Sequence, residues 1–236
     1  MQRLDYLDNA KAIAIVLVSF AHILGCFDSN TFSKSILIFC YGIELPIFFF
    51  ISGILYRIKN YDEFNFNKKI LRLLYPYFTF SIVYLLWDFI IITSRFVKNG
   101  EFSYNFFCNE FLSFVTGWGC GPLWFLSTFF LAELIFFYLR KKIIISLIIS
   151  LLCIYIGDYC HQFYFSYLNY SASFFQYLLC YVARIGVAFS FMLIGYFLWP
   201  NLFFLISKVR SKIFVFLSSI FLIFAGGGAV YRIQKL

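Results

Sequence analysis

The sequence predicts an all-α protein: a polytopic transmembrane bundle of about seven helical spans, forming a single domain over residues 1–236. Three observations predict this fold. The 236 residues are 63% hydrophobic and 25% aromatic but only 13% charged, whereas soluble proteins are about half apolar and a quarter charged. The apolar residues form long continuous runs, which indicate helices rather than the alternating strands of a barrel. The basic residues lie in short clusters between these runs.

Each predicted span is a run of about 20 mainly apolar residues, the length at which a helix crosses a bilayer. The seven runs cover residues 10–27, 36–56, 70–92, 123–139, 143–159, 185–206 and 213–231. Residues 174–181 either prolong the sixth helix or lie flat in the membrane interface. The long connection 93–121 is predicted to form an interfacial or re-entrant cap.

The distribution of Lys and Arg sets the orientation. With the N-terminus in the cytoplasm, the inner segments hold 13 of the 19 basic residues and the outer segments hold 5. This excess on one side predicts a cytoplasmic N-terminus. The net charge of +8 is therefore a topology signal, and no nucleic-acid partner is expected. The seven cysteines form no Cys-x-x-Cys pair, so no metal site is predicted.

The first predicted helix carries the main candidate site. A helix places His22 about 16 Å deeper than Lys11 and on the same face, with Asp8 near the same stripe. A histidine inside a membrane span is costly, which makes His22 a functional-site hypothesis. The alternative is a buried histidine that a backbone carbonyl of a neighbouring helix satisfies.

A basic cluster at residues 68–72 opens the third span. Lys68, Lys69 and Arg72 lie within about 1.5 turns of helix, with Lys69 and Arg72 on one face. Such a cluster suits the phosphates of a cytosolic ligand. It equally suits a topology signal that anchors the chain to lipid headgroups.

Further ionisable residues lie in or beside the apolar runs. Glu133 is close to mid-membrane and must be paired or protonated; His22, Arg184 and a bound substrate are the candidate partners, and structural pairing and catalysis both remain open. Arg184 is placed at the edge of the sixth span, where its side chain snorkels to the surface. Glu44 is interpreted as solvated near an outer edge. Ser52 and Gly53 offer a small surface for close helix packing.

Five motifs in one order resemble the acyltransferase family 3 of bacterial membrane O-acyltransferases. They are Arg3-x-Asp5 and Lys11 before the helix that ends in His22, PIFFFISG at 46–53, a basic cluster running into RLLYPYF at 72–78, PLWFL at 122–126 and FMLIGYFL at 191–198. The sequence departs from the family in having Lys69 where the basic motif often has Arg, and in having fewer predicted spans than the usual core. The second departure suggests a truncated member, or one whose last helices come from another chain.

The resemblance implies a multi-pass enzyme of the bacterial inner membrane. Members of the family transfer an acyl group, usually acetyl, from acyl-CoA to hydroxyls of cell-envelope saccharides. His22 matches the catalytic histidine, which would act as general base, with Asp8 or Glu133 orienting it. Lys69 and Arg72 match the motif tied to acyl-CoA, and Lys68 and Lys11 add nearby charge. The expected partners are therefore acyl-CoA, a saccharide or lipid-linked saccharide acceptor, membrane lipid and a second chain or copy, with no permanently bound cofactor.

Two alternatives come from other classes of protein. In the first, the chain is a non-catalytic transporter or flippase subunit in which His22, Glu133 and Arg184 line a polar path. In the second, it is an inactive truncated member of the family.

Overall fold

A computed structural model describes residues 5–26, 31–99, 104–119, 121–166 and 174–208. Within those ranges the regular structure is helical, which confirms the predicted all-α class. The helices are α1 (Asp5–Gly25), α2 (Thr31–Lys59), α3 (Phe66–Lys69), a π-helical turn (Ile70–Leu74), α4 (Tyr75–Asn99), α5 (Tyr104–Thr116), a 3-10 turn (Gly121–Leu123), α6 (Trp124–Leu139), α7 (Ile143–Ser166) and α8 (Phe174–Lys208).

Five stretches in the described part are long and apolar enough to cross a membrane, which confirms the polytopic prediction. They are Leu7–Gly25, Ser33–Lys59, Phe66–Ser94, Phe107–Leu139 and Phe174–Asn201, with Ile143–Gly157 as a shorter apolar helix. The predicted count of about seven spans is therefore approximate. The predicted span 213–231 lies outside the described residues.

The structure settles two expectations about where helices begin and end. Residues 174–181 prolong the sixth helix, because α8 begins at Phe174. The connection is largely helical, since α4 continues to Asn99 and α5 follows.

The described residues belong to two compact units. The first comprises residues 1–60 and 191–236, and the second comprises residues 61–190. In the first unit, α1 and α2 are joined by a five-residue connection, which is typical of an antiparallel helical hairpin. The α1 side chains buried against this unit recur every seventh residue, at Leu7, Ala14 and Ala21. The two alanines let the helix axes approach closely.

Glycine also allows α2 to cross the C-terminal half of α8 at close range. A Cβ on Gly53 would lie 2.0 Å from the carbonyl oxygen of Met192, and a Cβ on Gly195 would lie 2.1 Å from that of Phe50. Each glycine therefore rests on the backbone of the other helix. This contact confirms the packing role predicted for the Ser52–Gly53 pair.

In the second unit, the π-helical turn links the basic segment to α4. The backbone N–H of Tyr75 donates to the carbonyl of Ile70, five residues earlier. Pro76 follows directly and has no N–H, so it is tolerated only in the first turn of a helix. The wide turn therefore contains Arg72, the last residue of the basic cluster, and single π-turns of this kind are common at functional sites.

We expect Gly53→Ala to destabilise the protein by about 1–3 kcal/mol or more, because the added methyl group meets backbone that cannot move aside cheaply. The measurement is the thermal unfolding midpoint of the purified protein in detergent micelles. Gly42→Ala, in the same helix, is the matched control: a Cβ there has no described atom within 4 Å, and alanine favours helix by about 1 kcal/mol over glycine. Equal midpoints for the two variants would contradict the close crossing.

Candidate functional site

His22 lies in the last turn of α1 with its side chain exposed in this chain. Because α1 is unbroken, Lys11 and His22 are separated by about 16 Å along the axis. Asp8 pairs with Lys11 at 3.7 Å between Oδ1 and Nζ. The Asp8 carboxylate is thus about 21 Å from His22 along the helix. The structure places Asp8 beside Lys11 rather than beside the imidazole.

Glu44 is an acid in the same unit as His22. Its side chain is 2% exposed, so the interpretation of a solvated Glu44 is wrong. Glu44 lies on α2 and His22 on α1, the two helices of the same hairpin. The signal that could have found Glu44 is the one that singled out Glu133, namely an acid well inside an apolar run. The sequence does not show that α1 packs beside α2 near this acid.

One of the three residues of the predicted basic cluster, Lys69, forms an ion pair in the second unit. Nζ of Lys69 donates to Oε1 of Glu133, whose side chain is 5% exposed. The Lys69 ammonium also lies 5.6 Å from the centre of the Phe64 ring. The described partner of Glu133 is therefore Lys69, and Arg184, which lies in the same unit, forms no described salt bridge with it. Lys68 and Arg72 remain exposed.

Arg184 is held by aromatic rings. Its guanidinium carbon lies 3.2 Å from the centre of the Trp118 ring and 4.3 Å from that of Trp124. Arg184 lies well inside α8 and is half-buried. The expectation that its side chain snorkels from the edge of the span is therefore wrong. A cation over indole faces gains electrostatic stabilisation that strengthens as water is removed.

A cavity of about 230 Å³ lies in the second unit between α4, α5 and α6. Its walls are mainly aromatic and aliphatic, and the hydroxyl groups of Thr116, Ser127 and Tyr181 supply its polar side. Among the lining residues there is no carboxylate or imidazole, so the cavity has no general base of its own. Its chemistry fits an apolar chain rather than a site of proton transfer.

The family model for the acyltransferase domain, family 3, matches residues 4–235, nearly the whole chain. This match confirms the resemblance carried by the five sequence motifs. No curated protein and no solved structure matches the chain. The matched range includes His22, Glu44 and the segment from Lys68 to Arg72.

Lys69→Met should destabilise the protein by about 3–5 kcal/mol, because it leaves the buried Glu133 carboxylate without its cation. Adding Glu133→Gln to Lys69→Met should recover most of this loss, since the second change removes the uncompensated charge. Thermal unfolding midpoints of the two single variants and the double variant measure the coupling.

Lys68→Met is the control for the loss of one positive charge, because Lys68 is exposed and adjacent in sequence. Its unfolding free energy should stay within about 0.5 kcal/mol of the parent value, as is usual for surface changes, so its midpoint should hardly move. Additive effects of Lys69→Met and Glu133→Gln would show that the pair does not form.

Proposed function

The chain belongs to acyltransferase family 3, and on this premise we propose that it is a membrane O-acyltransferase. The proposed reaction moves an acyl group, acetyl in the first instance, from acyl-CoA to a hydroxyl of a cell-envelope saccharide. The observation that carries the proposal is His22, an imidazole in the last turn of an apolar helix, in the same helical hairpin as the buried acid Glu44.

His22 acts in this proposal as general base. The acceptor hydroxyl gives its proton to one ring nitrogen as its oxygen attacks the thioester carbonyl carbon. The carbon–sulfur bond then breaks, and the leaving thiolate takes the proton from the imidazolium. The products are an ester and free CoA, and His22 returns to its neutral form. A base of this kind contributes about 10²–10⁴ in rate.

The exposed cations Lys68 and Arg72 bind the phosphates of the donor in this proposal. Arginine offers a bidentate contact and lysine a point charge. Lys69 adds positive charge that Glu133 already offsets, so it contributes less to the field at the phosphates than the sequence alone suggests. Lys11 lies about 16 Å from His22 along α1, a separation that an extended pantetheine arm spans.

The setting proposed for the reaction is the bacterial inner membrane. The acceptor is a saccharide or a lipid-linked saccharide, and acyl-CoA binds as a substrate rather than as a permanent cofactor. The proposed partners also include membrane lipid and a second copy or a partner chain. No specific observation favours a transporter, because two of the residues assigned to its polar path are engaged, Glu133 by Lys69 and Arg184 by two indole rings.

His22→Ala should remove acyl transfer by a factor of about 10²–10⁴ at equal protein abundance. Mass spectrometry of envelope polysaccharides from expressing cells measures this as an acetyl-sized mass gain that disappears. His161→Ala, a change at the other of the two histidines, is the control and should keep the gain. A gain that persists in His22→Ala would show that His22 is not the base.

Arg72→Ala should weaken the binding of CoA to the purified protein by about tenfold, the equivalent of 1.4 kcal/mol for a charged contact. Isothermal titration calorimetry at low and high salt measures the affinity, and the loss should shrink as salt screens the exposed charge. Lys141→Ala removes an equally exposed cation outside the basic cluster and should leave the affinity unchanged. Equal losses for the two variants would point to a general charge effect rather than a phosphate site.

A further inference from the structure

The α1–α2 hairpin brings Glu44 level with His22. A Cβ on Gly25 would lie 3.6 Å from the hydroxyl oxygen of Tyr41, so Gly25 and Tyr41 face each other across the hairpin. His22 lies about one turn before Gly25 on α1, and Glu44 lies about one turn after Tyr41 on α2. In an antiparallel pair these two steps run in the same direction. The imidazole and the carboxyl group therefore occupy the same level of the hairpin.

The burial of Glu44 needs a reason beyond packing. Its Oε2 atom is buried and has no hydrogen-bond partner in the described part of the chain. A buried polar atom without a partner costs about 1–3 kcal/mol, and more when it is charged. An apolar side chain of similar size would avoid that cost, so the acid reduces the stability of the hairpin.

The groups around Glu44 leave His22 as its candidate partner. On α2 the carboxyl group interacts electrostatically with Cys40 and Tyr41, and on α1 Tyr41 interacts with Cys26. Cysteine and tyrosine gain negative charge when they ionise, so they cannot offset a carboxylate. His22 is the member of this set that becomes positive.

We infer that Glu44 is a positioning residue for His22. Its carboxylate accepts a hydrogen bond from one ring nitrogen, which fixes the tautomer and leaves the other nitrogen free to take a proton from a hydroxyl. It also stabilises the imidazolium that forms. This is the role of the third group in a hydroxyl–histidine–acid arrangement. The inference rests on the proposed function, in which His22 is the base.

The proton count is unchanged by this role. Glu44 neither gives nor takes a proton in this sequence of steps: the proton moves from the acceptor hydroxyl to His22 and then to the leaving thiolate. The carboxylate–imidazolium pair exists between those two transfers. Glu44 therefore acts on the charged intermediate form of His22 and makes no bond to substrate.

The test uses Glu44→Met, Glu44→Gln and the full-length protein in lipid nanodiscs. Methionine removes both the charge and the acceptor, whereas glutamine keeps an acceptor and removes the charge. The ¹⁵N chemical shifts of histidine-labelled protein report which ring nitrogen carries the proton. A His161→Gln background leaves the single signal of His22, because the chain has 2 histidines.

The expected result is one dominant tautomer in the parent and in Glu44→Gln, and a mixture in Glu44→Met. The kcat should fall roughly 10- to 100-fold in Glu44→Met, the range seen when the outer partner of a functional histidine is removed. The kcat of Glu44→Gln should fall as well because the charge is lost. KM should stay the same in both variants. Glu63→Met, at an exposed acid, should match the parent throughout.

Thermal stability separates positioning from a structural role. If Glu44 serves function at the expense of stability, Glu44→Met keeps or raises the unfolding midpoint while kcat falls. A lowered midpoint with an unchanged tautomer would overturn the inference. The tautomer is measured without turnover, so it reports on Glu44 whether or not His22 is the base. Acyl transfer that persists in His22→Ala would show that the proposed base is wrong, which is a separate result.

Discussion

The cost of an ionisable side chain in an apolar helix is the constraint on which this structure depends. The interior of a membrane lacks the water that would solvate such groups. The protein must therefore pair them with an opposite charge or stack them on a ring. The structure does so for Glu133 with Lys69, and for Arg184 with the faces of two indole rings. Arg140, 4% exposed, donates to the carbonyl oxygen of Tyr61.

Aromatic rings also stabilise some of the buried or partly buried cations. The ammonium of Lys69 lies over Phe64, and the guanidinium of Arg140 lies 4.5 Å from the centre of the Phe137 ring. An aromatic face stabilises a cation without introducing a second charge that would itself need a partner. Rings can therefore hold a cation in an apolar helix where a carboxylate would add to the desolvation cost.

The sequence predicted the helices well and the partners of their charged residues poorly, for one physical reason. An apolar run of sufficient length reports a helix directly, so the fourth predicted span, 123–139, nearly coincides with α6. The run contains no information about which helix lies beside it. Glu133 was therefore correctly placed among groups that need a partner, but Lys69 was assigned to phosphate binding instead. Only the three-dimensional arrangement shows that one residue can serve the other.

Glu44 and Glu133 are both buried acids, but the groups around them differ. Glu133 forms an ion pair with Lys69, which offsets its charge. The described groups coupled to Glu44 include no permanent cation, and His22 among them gains positive charge only when it takes a proton. In the proposed reaction, this carboxyl group offsets the positive charge that forms on the imidazole during proton transfer, which is what a transition state rather than a resting state requires.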